Sequence, residues 1–319
     1  MRVLVAGSTG VIGRRLMPLL DAVGHEAIGL SRSGRGPGRT LAADALDRDA
    51  VFRAIREAAP DAVVNLLTAI PSTLDPKHLA RDFALTNRLR TEGTRNLYDA
   101  ARAAGVGRVL AQGLAYAYQP ADGLADEDAP LWTDRTPKQF APVLSALIDL
   151  EKATAAANGL VLRFGHLYGP GSAYAPDGSF TAQVRAGKVP VVGGGRSILS
   201  FTHADDAASA IVAALDKDVT GVLNIVDDTP VAMADFLTGY ARMLDAPAPK
   251  RVPAALARLA VGGWGVAFMN GLRGADNSRA RLRLDWRPRH PSWVHGVEAG
   301  GADGGADGGP DGAAARDAA

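Results

Sequence analysis

A short apolar run, Val3-Leu4-Val5-Ala6, ends on Gly7-Ser8-Thr9-Gly10-Val11-Ile12-Gly13, and an amphipathic stretch follows at once. Nothing else in the 319 residues restricts the fold as much. Glycines at this spacing let a strand turn tightly into a helix, let the backbone approach a pyrophosphate, and let the helix pack close on the sheet. The helix then offers free N–H groups and a partial positive charge to phosphate oxygens. The plainer alternative is a strand–helix turn with no ligand. The strand-before, helix-after context favours a dinucleotide.

The rest of the chain repeats the alternation that builds a parallel sheet. Strands are predicted near 3–6, 27–30, 62–66, 109–112, 161–163 and 222–225. Helices are predicted near 14–23, 48–58, 78–104, 143–158, 205–215 and 233–244. The fold class is α/β, a Rossmann-type doubly wound parallel sheet with a smaller C-terminal substrate-binding cap. Residues 1–165 form the dinucleotide-binding part, and segments around 197–228 return to it. Residues 166–196 and 229–296 form the cap, in which Gly and Pro cluster as loops. Residues 297–319 repeat Gly, Ala and Asp and read as a disordered tail. Pro18 inside the first helix should bend it locally.

The formal net charge of +1 gives no field that would attract nucleic acid or a membrane surface. There is no cysteine, which excludes disulfides, thiolate nucleophiles and zinc–thiolate sites. No leader is evident before the first strand, and no apolar run is long enough to cross a bilayer. The nearest, 256–269, reads as a buried helix or lid. Cytoplasm is the expected compartment.

An NAD site usually places an acidic residue at the end of the second strand. Here Ser31 and Arg32 stand there, followed by Arg35 and Arg39. A guanidinium pairs with a 2′-phosphate where a carboxylate would repel it, so NADP(H) is preferred and NAD(H) remains possible.

Several ordered stretches resemble an extended or atypical short-chain dehydrogenase/reductase of the NAD-dependent epimerase/dehydratase group. They are GSTGVIG, ADALD, VVNLLTAIP, LTNRLRTEGTRNLYDAARAAGVGRVL, VLRFGHLYGPG, SFTHADDAASAIVAAL, GVLNIVDDTPV and NSRARLRLDWRPRHPSW. The resemblance covers residues 1 to about 296. It implies cofactor contacts from Gly7, Ser8, Thr9, Gly10, Val11, Ile12 and Gly13, and from Ser31, Arg32, Asp44 and Ala45. It adds Leu66, Leu67, Thr68, Asn87, Gln112 and His166 further along. It also implies a possible homodimer through the helices near 78–104 and 143–158.

The chain departs from this group where the group does its chemistry. The usual Tyr-x-x-x-Lys pair falls on Val143 and Leu147, and the companion hydroxyl on Gly113 or Leu114. Valine and leucine cannot move protons, so the standard mechanism is lost. Tyr118, Tyr116, Tyr168 and His166 are the candidates to replace it, Tyr118 first. Three functions compete. One is an NADP(H)-dependent oxidoreductase acting on a small, fairly apolar molecule through a non-standard proton donor. The others are a catalytically silent NADP(H) sensor or scaffold, and an epimerase or dehydratase on a sugar-like substrate. Hydride transfer needs only an electrophilic carbon held against the cofactor, so an acceptor such as a conjugated alkene or iminium survives the loss best. The place of the arginine that holds a diphosphate in sugar-nucleotide enzymes is Leu199, with Arg196 and Arg251 nearby, so the substrate reads as less anionic than a sugar nucleotide. No metal is expected. His203, Asp205 and Asp206 read as a helix start, and His290 and His295 have no third ligand beside them.

Overall fold

The computed structural model describes residues 1–71 and 74–295. Seven strands form one parallel sheet: β1 (Arg2–Ala6), β2 (Glu26–Ser31), β3 (Arg39–Ala42), β4 (Ala62–Asn65), β5 (Arg108–Leu114), β6 (Leu160–Phe164) and β7 (Gly221–Ile225). Their order is β7-β6-β5-β4-β1-β2-β3, and every pairing is parallel. The order reverses between β1 and β4, which opens a crevice beyond the carboxyl ends of those two strands. Helices cover both faces, so the central strands read as unbroken apolar runs. Val3, Leu4, Val5 and Ala6 have no exposed surface at all.

On one face α1 (Val11–Ala22) lays Ile12, Leu16, Met17 and Leu20 against the sheet. On the other, α2 (Arg48–Ala58) and α3 (Thr94–Ala103) bury Val51, Ile55, Leu97 and Ala101. Helix α4 (Ala141–Ala156) follows β5, and α5 (Ala204–Leu215) packs beside α1. Helices α6 (Met233–Met243) and α7 (Ala254–Asn270) share a second core with three short two-stranded pairings.

Several expectations change. β3 was missed because it is a short edge strand, none of whose residues is buried, so it carries no apolar run. The long helix expected over 78–104 is broken into Leu79–Asp82, Ala84–Arg88 and a π turn at Leu89–Gly93, before α3 begins. Such π turns are concentrated at functional sites. The segment near 256–269 is helical but not buried throughout. Leu256 and Leu259 are exposed, while Trp264 and Gly265 are buried beyond a kink where Gly262 takes φ +69°. The predicted tail, 297–319, lies outside the described residues. No helix among the described residues is long and apolar enough to cross a membrane.

His203, Asp206 and His290 come together, with donor atoms within 4.8 Å of one another. The fold thus brings His290 two neighbours that the sequence did not reveal. The Asp206 carboxylate, however, accepts N–H bonds from Arg289 and His290 at 2.8 and 3.0 Å. The cluster clamps the C-terminal segment onto α5.

Asp227, just past β7, is buried, and Oδ2 has no hydrogen-bond partner. Burial pushes its pKa up to about 8. The folded chain therefore holds a proton that the unfolded chain releases near pH 4, so this residue's contribution to stability falls as pH rises from about 4 to about 8. Asp227→Asn removes that dependence. The variant should gain on the parent by roughly 4 kcal/mol between about pH 5 and about pH 8.5, read from urea unfolding. A constant gap across that range would place the carboxyl's pKa elsewhere.

Candidate functional site

The corner between β1 and α1 is shaped by steric necessity. Gly7 sits at φ +92°, and a Cβ there would lie 2.6 Å from the Leu66 carbonyl oxygen. A Cβ on Gly13 would lie 2.4 Å from the Gly7 carbonyl oxygen and 2.7 Å from the Ser8 backbone. Gly10 caps α1 without a side-chain hydrogen bond, which leaves the first N–H groups of the helix open. The residues present therefore fit a pyrophosphate: an uncapped helix start, with a backbone too close-packed for any side chain to fill the seat.

From this corner a cleft of about 560 Å³ runs between β4, β5 and the loop after β6. Gly7, Gly10, Val11, Ile12, Gly13, Leu66, Thr68 and Gln112, eight of the residues named from sequence for the cofactor, line it. Leu114, Phe164 and Leu167 give it apolar lining, and Tyr116 also lines it. The loop holding Ser172, Asp177 and Ser179 closes one side. The Gly and Pro of this loop place it in the expected cap, and none of its residues is named for the site from sequence. A larger hollow of about 840 Å³ lies between α3 and α4, lined by Asp99, Arg102 and Asp149 among others. None of the corner residues borders it, so size alone does not mark the site.

The remaining expected cofactor residues sort by exposure. The β2 end adjoins the corner, where the Gly7 N–H donates to the Leu30 carbonyl at 3.1 Å. Arg32 follows it and is exposed, and Thr9 is exposed beside the same loop. Ser31 donates its hydroxyl to the Arg35 carbonyl at 2.9 Å. Asp44 is exposed and accepts from the Leu46 N–H. The Ala45 carbonyl accepts from Asn96, and Leu67 is half-buried. Ser8 is corrected: its side chain is fully buried against Gly29, away from the cleft. Asn87 does not line the cleft, and its buried Oδ1 has no partner.

Of the four candidates for chemistry, Tyr116 lines the cleft and Tyr118, Tyr168 and His166 do not. Tyr118 has no exposed surface; its hydroxyl donates to Asn224 Oδ1 at 2.6 Å and accepts from Arg163 Nη1 at 2.8 Å. Arg163 in turn binds both oxygens of Glu151, at 2.8 and 2.7 Å. Tyr118 is a member of a closed internal network. Tyr168 is equally buried and donates to the Ser292 carbonyl, and burial pushes its pKa well above the phenol range. Tyr116 does line the cleft, its ring stacked on His166 with centroids 4.5 Å apart and planes 9° from parallel. Burial pulls the His166 pKa down to about 4, so the imidazole is neutral near pH 7. The His166 backbone N–H donates to the Ser200 carbonyl at 2.8 Å, so that donor is not free for a cofactor.

The places of the missing proton relay are apolar in space as well as in sequence. Val143 and Leu147 are buried in the second core with Phe140, Trp132 and Trp264. Leu114 lines the cleft where the companion hydroxyl is expected. Gly113 has no room for one, since a Cβ would lie 2.8 Å from Val161 and 2.9 Å from Arg163 side-chain atoms. Arg196 and Arg251 are exposed and border no part of the cleft.

The profile of the NAD dependent epimerase/dehydratase family matches residues 3–226. A 3-diazoavenalumate denitrifying reductase from Streptomyces sp is 47% identical over 303 residues, 93% of this chain and 99% of that protein. The human epimerase family protein SDR39U1 is 32% identical over 248 residues, 74% of this chain and 78% of that one. Its crystal structure with NADPH superposes with a TM-score of 0.69 at 22% identity, over 94% of this chain and 98% of that one. The Thermus thermophilus UDP-glucose 4-epimerase in complex with NAD gives 0.73 at 22% identity, over 96% and 100%. By profile and by relatives, this chain is an NAD(P)-dependent enzyme that belongs to the NAD dependent epimerase/dehydratase family.

Proposed function

We propose that the protein is an NADP(H)-dependent reductase whose substrate is an aryl diazo compound, reduced with loss of dinitrogen. The observation that carries this reading is the apolar replacement of the proton relay by Val143, Leu147 and Leu114. Reducing a carbonyl needs a proton for the oxygen, and these side chains have none to give. An arenediazonium needs none: it accepts hydride, the carbon–nitrogen bond breaks, and N2 leaves as ArN2⁺ + H⁻ → ArH + N2. When bound, the dihydronicotinamide supplies that hydride.

The chain's own work is then to hold and to exclude. Gly7, Gly10 and Gly13 seat the pyrophosphate at the α1 start, and exposed Arg32 lies at the β2 end for a 2′-phosphate. Leu114, Phe164 and Leu167 keep the inner cleft dry, which protects a reactive diazonium from water. The name of the Streptomyces relative, a denitrifying reductase of a diazo acid, supports the same chemistry.

The test is a turnover assay with 4-carboxybenzenediazonium, with NADPH or NADH as reductant. Expected are one N2 released per NADPH consumed and, from C4-deuterated NADPH, deuterium on the ring carbon. Arg32→Ala should cost about tenfold in NADPH affinity and leave NADH unchanged, the scale of one charge-assisted phosphate contact. Tight NADPH binding without oxidation of any diazonium, enone, imine or ketone would make the protein a cofactor sensor instead.

A further inference from the structure

Asp177 is the one ionised side chain among the described residues that line the cleft. No lysine, arginine or histidine borders it. Its other polar groups are Thr68, Gln112, Ser172, Ser179 and Tyr116, whose phenol is pushed up by burial and stays neutral. An aspartate in a turn such as Pro176-Asp177-Gly178-Ser179 usually has local work, capping the next helix or holding a backbone N–H two residues on. Here it does neither. Gly178 is the N-cap of the helix Ser179–Arg185, and no side chain caps it. No cation among the described residues pairs with the carboxylate. Arg185, the basic residue nearest in sequence, donates to the Pro176 carbonyl at 2.6 Å instead.

The turn that carries Asp177 is tightly held. The Gly178 N–H donates to the Ala175 carbonyl at 2.8 Å, and the Phe180 N–H to the Ala173 carbonyl at 3.0 Å. A Cβ on Gly178 would lie 2.3 Å from the Ala173 carbonyl oxygen. The carboxylate is therefore a fixed, exposed negative charge on the cleft wall, in no interaction that the fold uses. Such a charge opposes an entering anion and favours a cation, more strongly once ligand displaces the water between them. The dinucleotide's phosphates have their seat on the backbone of the α1 corner, so a carboxylate does nothing to hold them. The charge is left for the other ligand.

We propose that Asp177 is the counter-charge for a substrate whose reacting group is a cation, and that it draws that group into the cleft and orients it there. This rests on the reading of the cleft as a hydride-transfer site and names the charge of the hydride acceptor, which an arenediazonium carries. Asp177 is a positioning residue. It takes no proton and no electrons; the transferred atoms belong to substrate and cofactor.

The experiment is equilibrium binding to the NADPH-loaded protein of three unreactive probes: phenyltrimethylammonium, its neutral isostere tert-butylbenzene, and benzoate. Asp177→Asn should weaken the cation about three- to tenfold, the scale of one partly exposed ion pair. It should leave the neutral probe unchanged and tighten benzoate. Asp177→Glu should keep most of the parent's affinity for the cation. Added salt should shrink the difference between the parent and Asp177→Asn. A merely structural role would move all three probes the same way, and that result would overturn the proposal. So would an unchanged cation affinity in Asp177→Asn. A changed ratio of NADP⁺ to NADPH affinity in that variant would overturn it too, by giving the charge to the nicotinamide ring. The probes carry no diazo group, so the two readings fail separately. A negative diazonium assay with this charge pattern intact removes the reaction alone, and turnover without the pattern removes this inference alone.

Discussion

Gly13→Ala is expected to abolish dinucleotide binding and to destabilise the chain together. The new Cβ would lie 2.4 Å from the Gly7 carbonyl oxygen and 2.7 Å from two Ser8 backbone atoms. Backbone cannot swing aside as a side chain can, so α1 must move off β1. That shift would drag Ile12, Leu16, Met17 and Leu20 out of a packed core, a change that typically costs about 1–3 kcal/mol or more. It would also turn the helix start away from the phosphates. NADPH affinity should fall by at least about a hundredfold, equivalent to roughly 3 kcal/mol. Gly10→Ala is the informative companion. Its Cβ would meet only the Gly7 carbonyl oxygen, at 3.3 Å, and Gly10 lines the cleft. That variant should fold nearly as well as the parent yet bind poorly, because the methyl group occupies ligand space. Fluorescence titration and urea unfolding on both variants check the pair. Unchanged NADPH affinity in Gly13→Ala would remove the cofactor from this corner.

The corner was legible because its determinants are local: three glycines, a strand before them and a helix after. The central strands were legible for a related reason, since a strand buried on both faces has to be apolar throughout. β3 escaped because an edge strand with half-exposed residues has no such obligation. The fate of Tyr118 depended on which way the chain turns after β5, and no local pattern fixes that. It pairs across to Leu131 and points its hydroxyl at Asn224, over a hundred residues away in sequence. A signal was nonetheless present in Val161-Leu162-Arg163-Phe164. An arginine in an otherwise apolar strand must find an acid and further acceptors inside the protein.

Arg90 shows the opposite case. In the sequence it stands among Arg88 and Arg95 on what reads as one helix, and Arg88 pairs with Glu92 at the surface. Only the π turn at Leu89–Gly93 and the packing around Phe83 make Arg90 the buried one. The loss of Val143 and Leu147 from the proton relay was plain from residue type.

The internal network carries the second large prediction. Arg163 has 5% of its side chain exposed and Glu151 14%, and two parallel hydrogen bonds join them. Glu151→Ala leaves that guanidinium with the Tyr118 hydroxyl at 2.8 Å, the Tyr118 ring at 5.0 Å and no counter-charge. Breaking a buried pair from one side costs about 3–5 kcal/mol, because the desolvated partner is stranded. Adding Arg163→Met to Glu151→Ala should recover much of that loss, since the stranded charge is gone. Tyr118→Phe should cost less, about 1–3 kcal/mol, by leaving Arg163 and Asn224 each short of one hydrogen bond. None of these side chains lines the cleft, so each variant that remains folded should bind NADPH and turn over substrate as the parent does. Urea unfolding measures the stability order, and the diazonium assay measures the rates. A Tyr118→Phe protein that is as stable as the parent yet inactive would return Tyr118 to the chemistry, because only a proton-transfer role separates activity from the network that holds the side chain.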